Sequence, residues 1–416
     1  MSDATGPIVT ADGVPLKRKL AQAMFRSRAR AFGLALPLLA FIIVAFIIPI
    51  LTLLYRGVHD PRFAEIMPRT TAIVQKWDTR SPITEDMAAA LVADLVVARK
   101  NRTIGQVATR VNRELPGTRS LFTSTARKAR KMKPPYLEAL IKKDRKWGDN
   151  ATWQAIKITA KTYTPAYLLQ AVDLKYNADG SITRQPERYR IYMKLLIRTM
   201  RISLIVTLAT LVLGYPVAYL LSTLPVRTSN LLLILVLLPF WTSLLVRTTA
   251  WIAILQSEGV LNNLFVLFGI TTDQQRFSMI YNETGVLIAM THILLPFMIL
   301  PLYSVMKTIP PSYVRAAKSM GARPATAFWR VYFPQSVPGI GAGALLVFIL
   351  AIGYYITPAL VGGEDGQMIS NMIDFHMRKS LNWNLAAALG AVLLVVVLFF
   401  FWLYDRLVGI DNMKLG

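Results

Sequence analysis

The 416-residue chain contains no cysteine. That absence rules out disulfides, Cys-ligated zinc, iron–sulfur clusters and a thiol nucleophile together, and it leaves the redox compartment unread. Histidine is scarce as well: His59, His292 and His376 are the full set. None belongs to a His-x-x-x-His or Glu-x-x-His pair, so neither a metal site nor a proton-transfer site is indicated. No G-x-x-x-x-G-K-S/T loop occurs, so an ATP-driven process would draw its ATPase from another chain. Acidic residues are the last shortage, with 23 Asp/Glu against 47 Lys/Arg and a formal charge of +24.

A basic excess of this size suits either nucleic acid or a lipid surface. Hydrophobic residues make up 54% of the chain, which excludes a disordered polybasic protein. They gather in six long stretches: Ala31–Leu54, Ile202–Leu224, Leu231–Leu255, Gly285–Met306, Ile340–Val361 and Trp383–Tyr404. Each reaches the roughly 20 residues needed to cross a hydrocarbon core, and Arg247 is the single charge inside them. Six such runs leave too little polar surface for a soluble fold, so the expected class is an all-α polytopic membrane protein. The first stretch is far longer than the apolar part of a signal peptide, and no small-x-small cleavage site follows closely, so it reads as an uncleaved span.

Basic residues in tails and short loops resist translocation and therefore report orientation. Lys17, Arg18, Lys19, Arg26, Arg28 and Arg30 precede the first stretch. The segment between the fourth and fifth carries Lys307, Arg315, Lys318, Arg323 and Arg330 without an acid. Both patches place the N-terminus, and with six spans the C-terminus, on the cytoplasmic side of the membrane. The expected organisation is a basic tail at 1–30, a first span at 31–55, an extracytoplasmic insertion at 56–200, a core at 201–410 and a short tail at 411–416.

The insertion, Gly57–Thr199, holds 27 Lys/Arg and 13 Asp/Glu, more than half of the net charge. Thr84–Val97 has helical periodicity, Pro116-Gly117, Pro134-Pro135 and Asn177–Gly180 are turn signals, and Tyr163–Tyr176 alternates as a short strand or two would. A small mixed domain is expected. The basic run Arg127–Lys133 comes without zinc-finger spacing or an aromatic RNA-binding signature, so lipid headgroups or a soluble partner suit it better than nucleic acid.

The fourth-to-fifth connection reads as a helix at Tyr313–Met320, a tight turn at Gly321 and a second helix at Ala325–Tyr332, stopped by Pro334 and Pro338. Within 307–338, Arg315-Ala316-Ala317, then Gly321, then Val331-x-Phe333-Pro334 matches the spacing of the EAA loop. That loop belongs to the membrane subunits of binding-protein-dependent ABC importers. Arg315 stands where that loop usually has Glu, and Val331 and Phe333 stand for its usual Ile and Leu. Leu238–Thr242 with Arg247, Leu294–Phe297 with Pro301–Tyr303, and Gly353–Leu360 with Gly362-Gly363 further resemble the spermidine/putrescine permease subfamily. The likeness spans about residues 195–410 and the first stretch.

The resemblance implies a type I permease fold whose residues Arg315, Ala316, Ala317, Gly321, Val331, Phe333 and Pro334 dock on an ATPase subunit. It also implies a dimer of ATPase subunits that binds ATP and Mg, a second homologous permease subunit and a periplasmic solute-binding protein. No cofactor is expected on this chain itself. Polar and breaker residues within spans tend to line cavities. This nominates Trp241, Thr242, Arg247, His292, Tyr354, Tyr355 and Thr357 for a translocation pathway, with kinks at Pro216, Pro239, Pro296 and Pro301. The subfamily resemblance implies a polyamine as the solute, and aromatic faces suit its ammonium groups. An opine, an amino-acid derivative or an iron complex stays compatible, and so does a non-transporting scaffold or receptor. A proton- or sodium-coupled carrier is disfavoured by the acid-free spans.

Overall fold

The computed structural model describes residues 16–177 and 181–408. Residues 1–15 of the expected basic tail, the end of the chain at 409–416 and most of the turn expected at Asn177–Gly180 lie outside the described residues. Six helices are long and apolar enough to cross a membrane: Ala31–Arg56, Tyr192–Thr223, Leu244–Leu267, Glu283–Thr308, Pro324–Gly353 and Trp383–Arg406. A shorter apolar helical segment, Val226–Trp241, precedes the third.

The chain divides into two units, Met1–Arg56 and Gly57–Gly416. In the first, helix Leu16–Ile42 continues through a π-turn, Ile43–Ile47, into helix Ile48–Arg56. The π-turn sits just before Pro49, and the Ile48 N–H returns five residues to the Ile43 carbonyl. Proline lacks an N–H and its ring crowds the carbonyl four residues back, so a widened turn lets the helix pass without a break.

The second unit begins with the insertion, which is chiefly helical rather than evenly mixed. Helices Arg62–Ile66, Pro68–Val74, Glu85–Lys100, Ile104–Glu114, Thr118–Lys128, Tyr136–Lys143 and Asn150–Ala160 enclose a core built on Phe63, Leu91, Leu95, Phe122, Trp147 and Trp153. The longest begins where Thr84 accepts from the Met87 N–H at 3.4 Å, with Glu85 and Asp86 in its first turn and Arg99 and Lys100 in its last. That arrangement complements the helix dipole at both ends. Each buried indole finds a partner: Trp153 Nε1 donates to the Trp147 carbonyl (2.8 Å) and Trp147 Nε1 to Thr125 Oγ1 (3.0 Å).

The strand expected across Tyr163–Tyr176 is reduced to Leu174–Tyr176. It pairs antiparallel with Ile182–Arg184 in the register Leu174–Arg184, Lys175–Thr183, Tyr176–Ile182. Ala166–Ala171 is a helix instead, because Tyr167 and Ala171 are drawn one helical turn apart onto one apolar patch.

The second, fourth and fifth spans form the membrane core through Ile202, Val206, Met290, Leu294, Met298, Leu302 and Val347. Small residues permit the close approach. A Cβ on Gly343 would lie 2.8 Å from Met298 Sδ and 3.2 Å from the Met298 carbonyl oxygen, and one on Gly214 would lie 3.2 Å from the Ile299 side chain. Van der Waals contact replaces the hydrophobic effect as the adhesive between helices in lipid, so such approaches are what hold the bundle.

Three expectations about the spans are corrected. Leu231–Leu255 is two helices: Val226–Leu237 runs into a 3₁₀ turn at Leu238–Trp241, and a new helix starts at Leu244. Pro239 takes the first turn of that 3₁₀ segment and Ser243 caps the next helix by accepting from the Val246 N–H at 3.2 Å. Ile340–Val361 is also divided, at Tyr354-Tyr355, between helices Phe333–Gly353 and Ile356–Val361. Pro334 and Pro338 do not stop a helix: Pro324–Ala327, the π-turn Phe328–Tyr332 and Phe333–Gly353 run on as one span. The device is the one seen before Pro49, with the Phe333 N–H bonded to the Phe328 carbonyl just ahead of Pro334.

Candidate coupling and translocation sites

At one end of the bundle the helix Pro311–Ser319 starts on Pro310-Pro311 and closes through Met320 N–H to the Ala316 carbonyl and Ala322 N–H to the Ala317 carbonyl, both 3.0 Å. Gly321 follows at φ +89°, the left-handed region where a side chain is strained, and no atom lies within 4 Å of where its Cβ would be. Backbone conformation, not crowding, therefore demands glycine there. Ala317 is buried, while Arg315 and Ala316 are exposed, as are Tyr313 (52%) and Met320 (83%).

Val331 and Phe333 are half-buried and Pro334 is exposed. Phe333 belongs to a ring cluster that the sequence reading missed. Tyr219 meets Tyr332 at 5.1 Å and Phe328 at 5.8 Å, Tyr215 meets Phe333 at 5.9 Å, and Trp329 meets Phe333 at 4.9 Å. Tyr215 OH lies 2.9 Å from Ser336 Oγ and Tyr332 OH 3.2 Å from Ser222 Oγ. The signal was present as aromatic residues four apart, Tyr215/Tyr219 and Phe328/Tyr332, which share a helix face. This cluster ties the start of the fifth span, which follows the helix Pro311–Ser319, to the second span.

The residues nominated for a pathway fall into three groups. Trp241 (76% exposed) and Thr242 stand at the exposed break of the third stretch, where Thr242 Oγ1 returns to the Pro239 carbonyl at 2.9 Å. Arg247, His292, Tyr354 and Thr357 are brought near one another. Thr357 is buried with its hydroxyl 3.3 Å from Thr248 Oγ1, and the charge of Arg247 is felt at both His292 and Tyr354. Trp251 donates to His292 Nδ1 at 3.2 Å beside an apolar cleft of about 450 Å³. Tyr355 instead faces the helix Ile369–Arg378, where Arg378 Nη2 donates to its hydroxyl at 3.2 Å.

That same helix bonds the carbonyls at the break, of which Tyr354 loses its helical donor at Pro358 while Tyr355 keeps the Ala359 N–H at 3.0 Å. Ser370 Oγ donates to the Tyr354 carbonyl (2.6 Å) and Asn371 Nδ2 to the Tyr355 carbonyl (2.8 Å). Non-helical backbone at such depth persists where side chains take over its hydrogen bonds.

The insertion holds a second buried polar cluster. Asp60 accepts from Arg62 Nε at 2.8 Å and from Tyr167 OH at 2.6 Å, and lies 3.0 Å from Arg110 Nε. Arg110 also donates to Glu114 (2.6 Å) and lies over the Tyr167 ring at 4.7 Å. Burial alone would raise the Asp60 carboxyl, but hydrogen bonds from Arg62 and Tyr167 and the charge of Arg110 hold it below its ordinary value. Burial pushes the Tyr167 hydroxyl up.

The cluster reaches the start of the sixth span. Arg62 Nη2 donates to Asn384 Oδ1 (2.6 Å), Asn384 Nδ2 to the His59 carbonyl (3.0 Å), and Arg113 Nη2 to the Leu381 carbonyl (3.4 Å). Nearby, His376 sits between Tyr192 OH (2.9 Å) and Ser380 Oγ (2.8 Å), and burial, with the charge of Arg113, lowers its pKa to about 4. The run Arg127–Lys133 lies at the far end of helix Thr118–Lys128, its basic side chains exposed around buried Ala129.

Comparison with known proteins agrees with this layout. The family described as binding-protein-dependent transport system inner membrane component matches residues 211–409 and leaves the insertion outside. The spermidine/putrescine transport system permease protein PotB of Escherichia coli (strain K12) is 35% identical over 222 residues, 53% of this chain and 80% of that one. Its counterpart from Haemophilus influenzae is 34% identical over 224 residues, 54% of this chain and 78% of that one. Among solved structures, a chain of a bacterial alginate ABC transporter in complex with an alginate pentasaccharide-bound periplasmic protein is 17% identical. It has a TM-score of 0.45 and covers 56% of this chain and 82% of that chain. The chain belongs to the family of binding-protein-dependent inner membrane components: it is a multi-pass permease subunit of an ABC-type importer, in which ATP hydrolysis resides on a separate subunit.

Proposed function

We propose that this permease carries polyamines, spermidine or putrescine, delivered by a periplasmic binding protein, and that it works in alternating access beside a second, homologous permease subunit. Both termini are cytoplasmic in this reading, the hairpin around Pro311–Ser319 docks on an ATPase dimer, and the insertion enlarges the periplasmic docking platform. The observation that carries the coupling role is the hairpin itself. It presents Tyr313, Arg315 and Met320 outward with Ala317 buried, and the segment that follows is held to the second span by the ring cluster at Tyr215, Tyr219, Phe328 and Tyr332. Motion of a docked subunit would therefore reach the bundle through packed rings rather than a loose loop.

The polyamine reading draws on the likeness to the two spermidine/putrescine permeases and on the aromatic character of Trp241, Trp251, Tyr354 and Tyr355, which suits an ammonium at about 0.5–2 kcal/mol per ring. Selectivity then rests mainly on the binding protein, and weak contacts along the pathway favour release.

The test is Gly321→Pro in importer reconstituted into vesicles. Proline holds φ near −65° and cannot adopt +89°. Uptake should fall by about 100-fold while binding protein no longer stimulates ATP hydrolysis; full coupling in this variant sinks the assigned role. The solute is tested separately by screening the binding protein against spermidine, putrescine, opines and iron complexes. Failure of every amine to bind overturns the polyamine reading without touching the coupling role.

A further inference from the structure

Arg247 is the one charge in the long apolar stretches, and its surroundings leave it without a counter-ion. It lies in the first turn of helix Leu244–Leu255, so its charge faces the like-signed end of that helix dipole. Guanidinium atoms Nε and Nη1 are closed off from solvent and have no hydrogen-bond partner. Among the described residues no Asp or Glu forms an ion pair with it, and its nearest ring, Phe240, is 5.9 Å away. The acids of the six spans are Glu258, Glu283 and Asp405, near breaks or ends, and Glu283 is bonded to Arg201.

A guanidinium cannot shed its proton to escape burial, and an unpaired charge at membrane depth costs several kcal/mol. Nε and Nη1 are enclosed while the residue as a whole is half-buried, so the Nη2 edge of the guanidinium is the side on which a group from outside the chain can reach it. Thr248, the next residue, is already engaged with Thr357.

We infer that Arg247 holds a carboxylate in the assembled importer, presented either by a span of the second permease subunit or by the transported solute. The site is incomplete in this chain. A carboxylate from the companion neutralises the passage at this level and leaves it open to a cation. A carboxylate on the solute makes the cargo an acid or a zwitterion. The inference rests on membership of the permease family and not on the polyamine reading.

The chain has no cysteine, so Arg247→Cys places a single thiol at the site. In the complex without solute, a companion carboxylate should make a cationic methanethiosulfonate react about 10-fold faster than an anionic one, once both rates are normalised to a free thiol. The second measurement is uptake of spermidine and of octopine by vesicles carrying wild-type, Arg247→Gln or Arg247→Glu importer, with recovery of the companion subunit recorded for each.

A companion source predicts that Arg247→Glu loses companion recovery or spermidine uptake by about 100-fold, while Arg247→Gln lowers the KM for spermidine by about fivefold. A solute source predicts octopine uptake in the wild type, lost about 100-fold in Arg247→Gln with companion recovery intact, and no reagent preference in the Arg247→Cys importer. Equal reagent rates together with native uptake in both charge variants overturn the inference. Reagent preference with no amine transport leaves the site standing and removes the polyamine reading alone.

Discussion

The insertion and the membrane core handle buried charge in opposite ways. In the insertion, Asp60, Arg62, Arg110, Glu114 and Tyr167 form one network in which Arg110 retains 3% of its side-chain exposure and has carboxylates on two sides, although its Nε and Nη2 make no well-aligned hydrogen bond. In the core, the polar contacts are mostly hydroxyls returning to their own helix, as with Thr199, Thr207 and Thr210, and Arg247 has nitrogens with no partner. A region surrounded by water can keep buried ions only by pairing them within itself. A membrane subunit of a larger assembly can leave a charge whose partner comes from elsewhere. What separates the two guanidiniums is therefore counter-charge: Arg110 has Asp60 and Glu114 within its own region, and Arg247 has no acid paired with it among the described residues.

The largest expected effect breaks the insertion's network. Asp60→Ala leaves Arg110 buried and short of its main counter-charge, and should destabilise the insertion by about 3–5 kcal/mol. The midpoint of thermal unfolding in detergent should drop, and protease should cleave within 57–190 while the spans stay protected. Unchanged protection would mean that the network does not hold the insertion together.

Overpacking the core comes next. Gly343→Val drives methyl groups toward Met298, already 2.8 Å from a Cβ at that position, and should cost about 1–3 kcal/mol. Thermal stability of the core reads it; a Gly343→Val, Met298→Ala pair should recover part of the loss by making room.

A pH dependence belongs to the join between the regions. The folded pKa of His376, about 4, lies below its unfolded value of 6.5, so the unfolded chain binds more protons between those values. Its contribution is therefore present above pH 6.5 and lost as pH falls toward 4. His376→Gln, which can still bond Tyr192 and Ser380, should flatten the stability profile over that window; an unaltered profile assigns acid sensitivity to another group. The smallest effect expected is at the Thr248–Thr357 hydroxyl pair, where Thr248→Val should cost about 0.5–1.5 kcal/mol and shift the thermal midpoint slightly, with complex assembly unaffected.

Much of this architecture could be read from the chain. The fourth and sixth apolar runs became single helices near the expected limits, the second became one that starts earlier, at Tyr192, and the first passes through a π-turn; the turn at Gly321 fell where a breaker between two helical patterns placed it. The third and fifth runs misled because hydropathy counts apolar residues without reporting whether the helix through them is continuous. Pro239 and Ser243 mark one break, and Gly353 and Pro358 flank the other, where proline has no N–H for the Tyr354 carbonyl four residues back. Ser370 donates to that carbonyl instead, a contact that nothing local announces. Pro334 misled in the other direction, since a π-turn absorbs it. The ring cluster at Tyr215, Tyr219, Phe328 and Tyr332 was visible as i,i+4 pairs on separate helices, yet nothing local says that those two faces meet.

Sequence alone determined the membrane class, the number of long apolar segments and the concentration of charge in 57–199, because hydropathy and charge act over single turns and need no knowledge of neighbours. Tertiary structure alone decided which polar groups are satisfied. Asp60 meets Tyr167, Arg62 meets Asn384 across 322 residues of chain, and Arg247 meets no acid among the described residues. Hydrogen bonds and ion pairs depend on distances of about 3 Å, and those are set by packing between segments far apart in the chain. The shortage of acids therefore carries different meanings in the two regions: sufficient pairing within the insertion, and in the spans a guanidinium that awaits its partner.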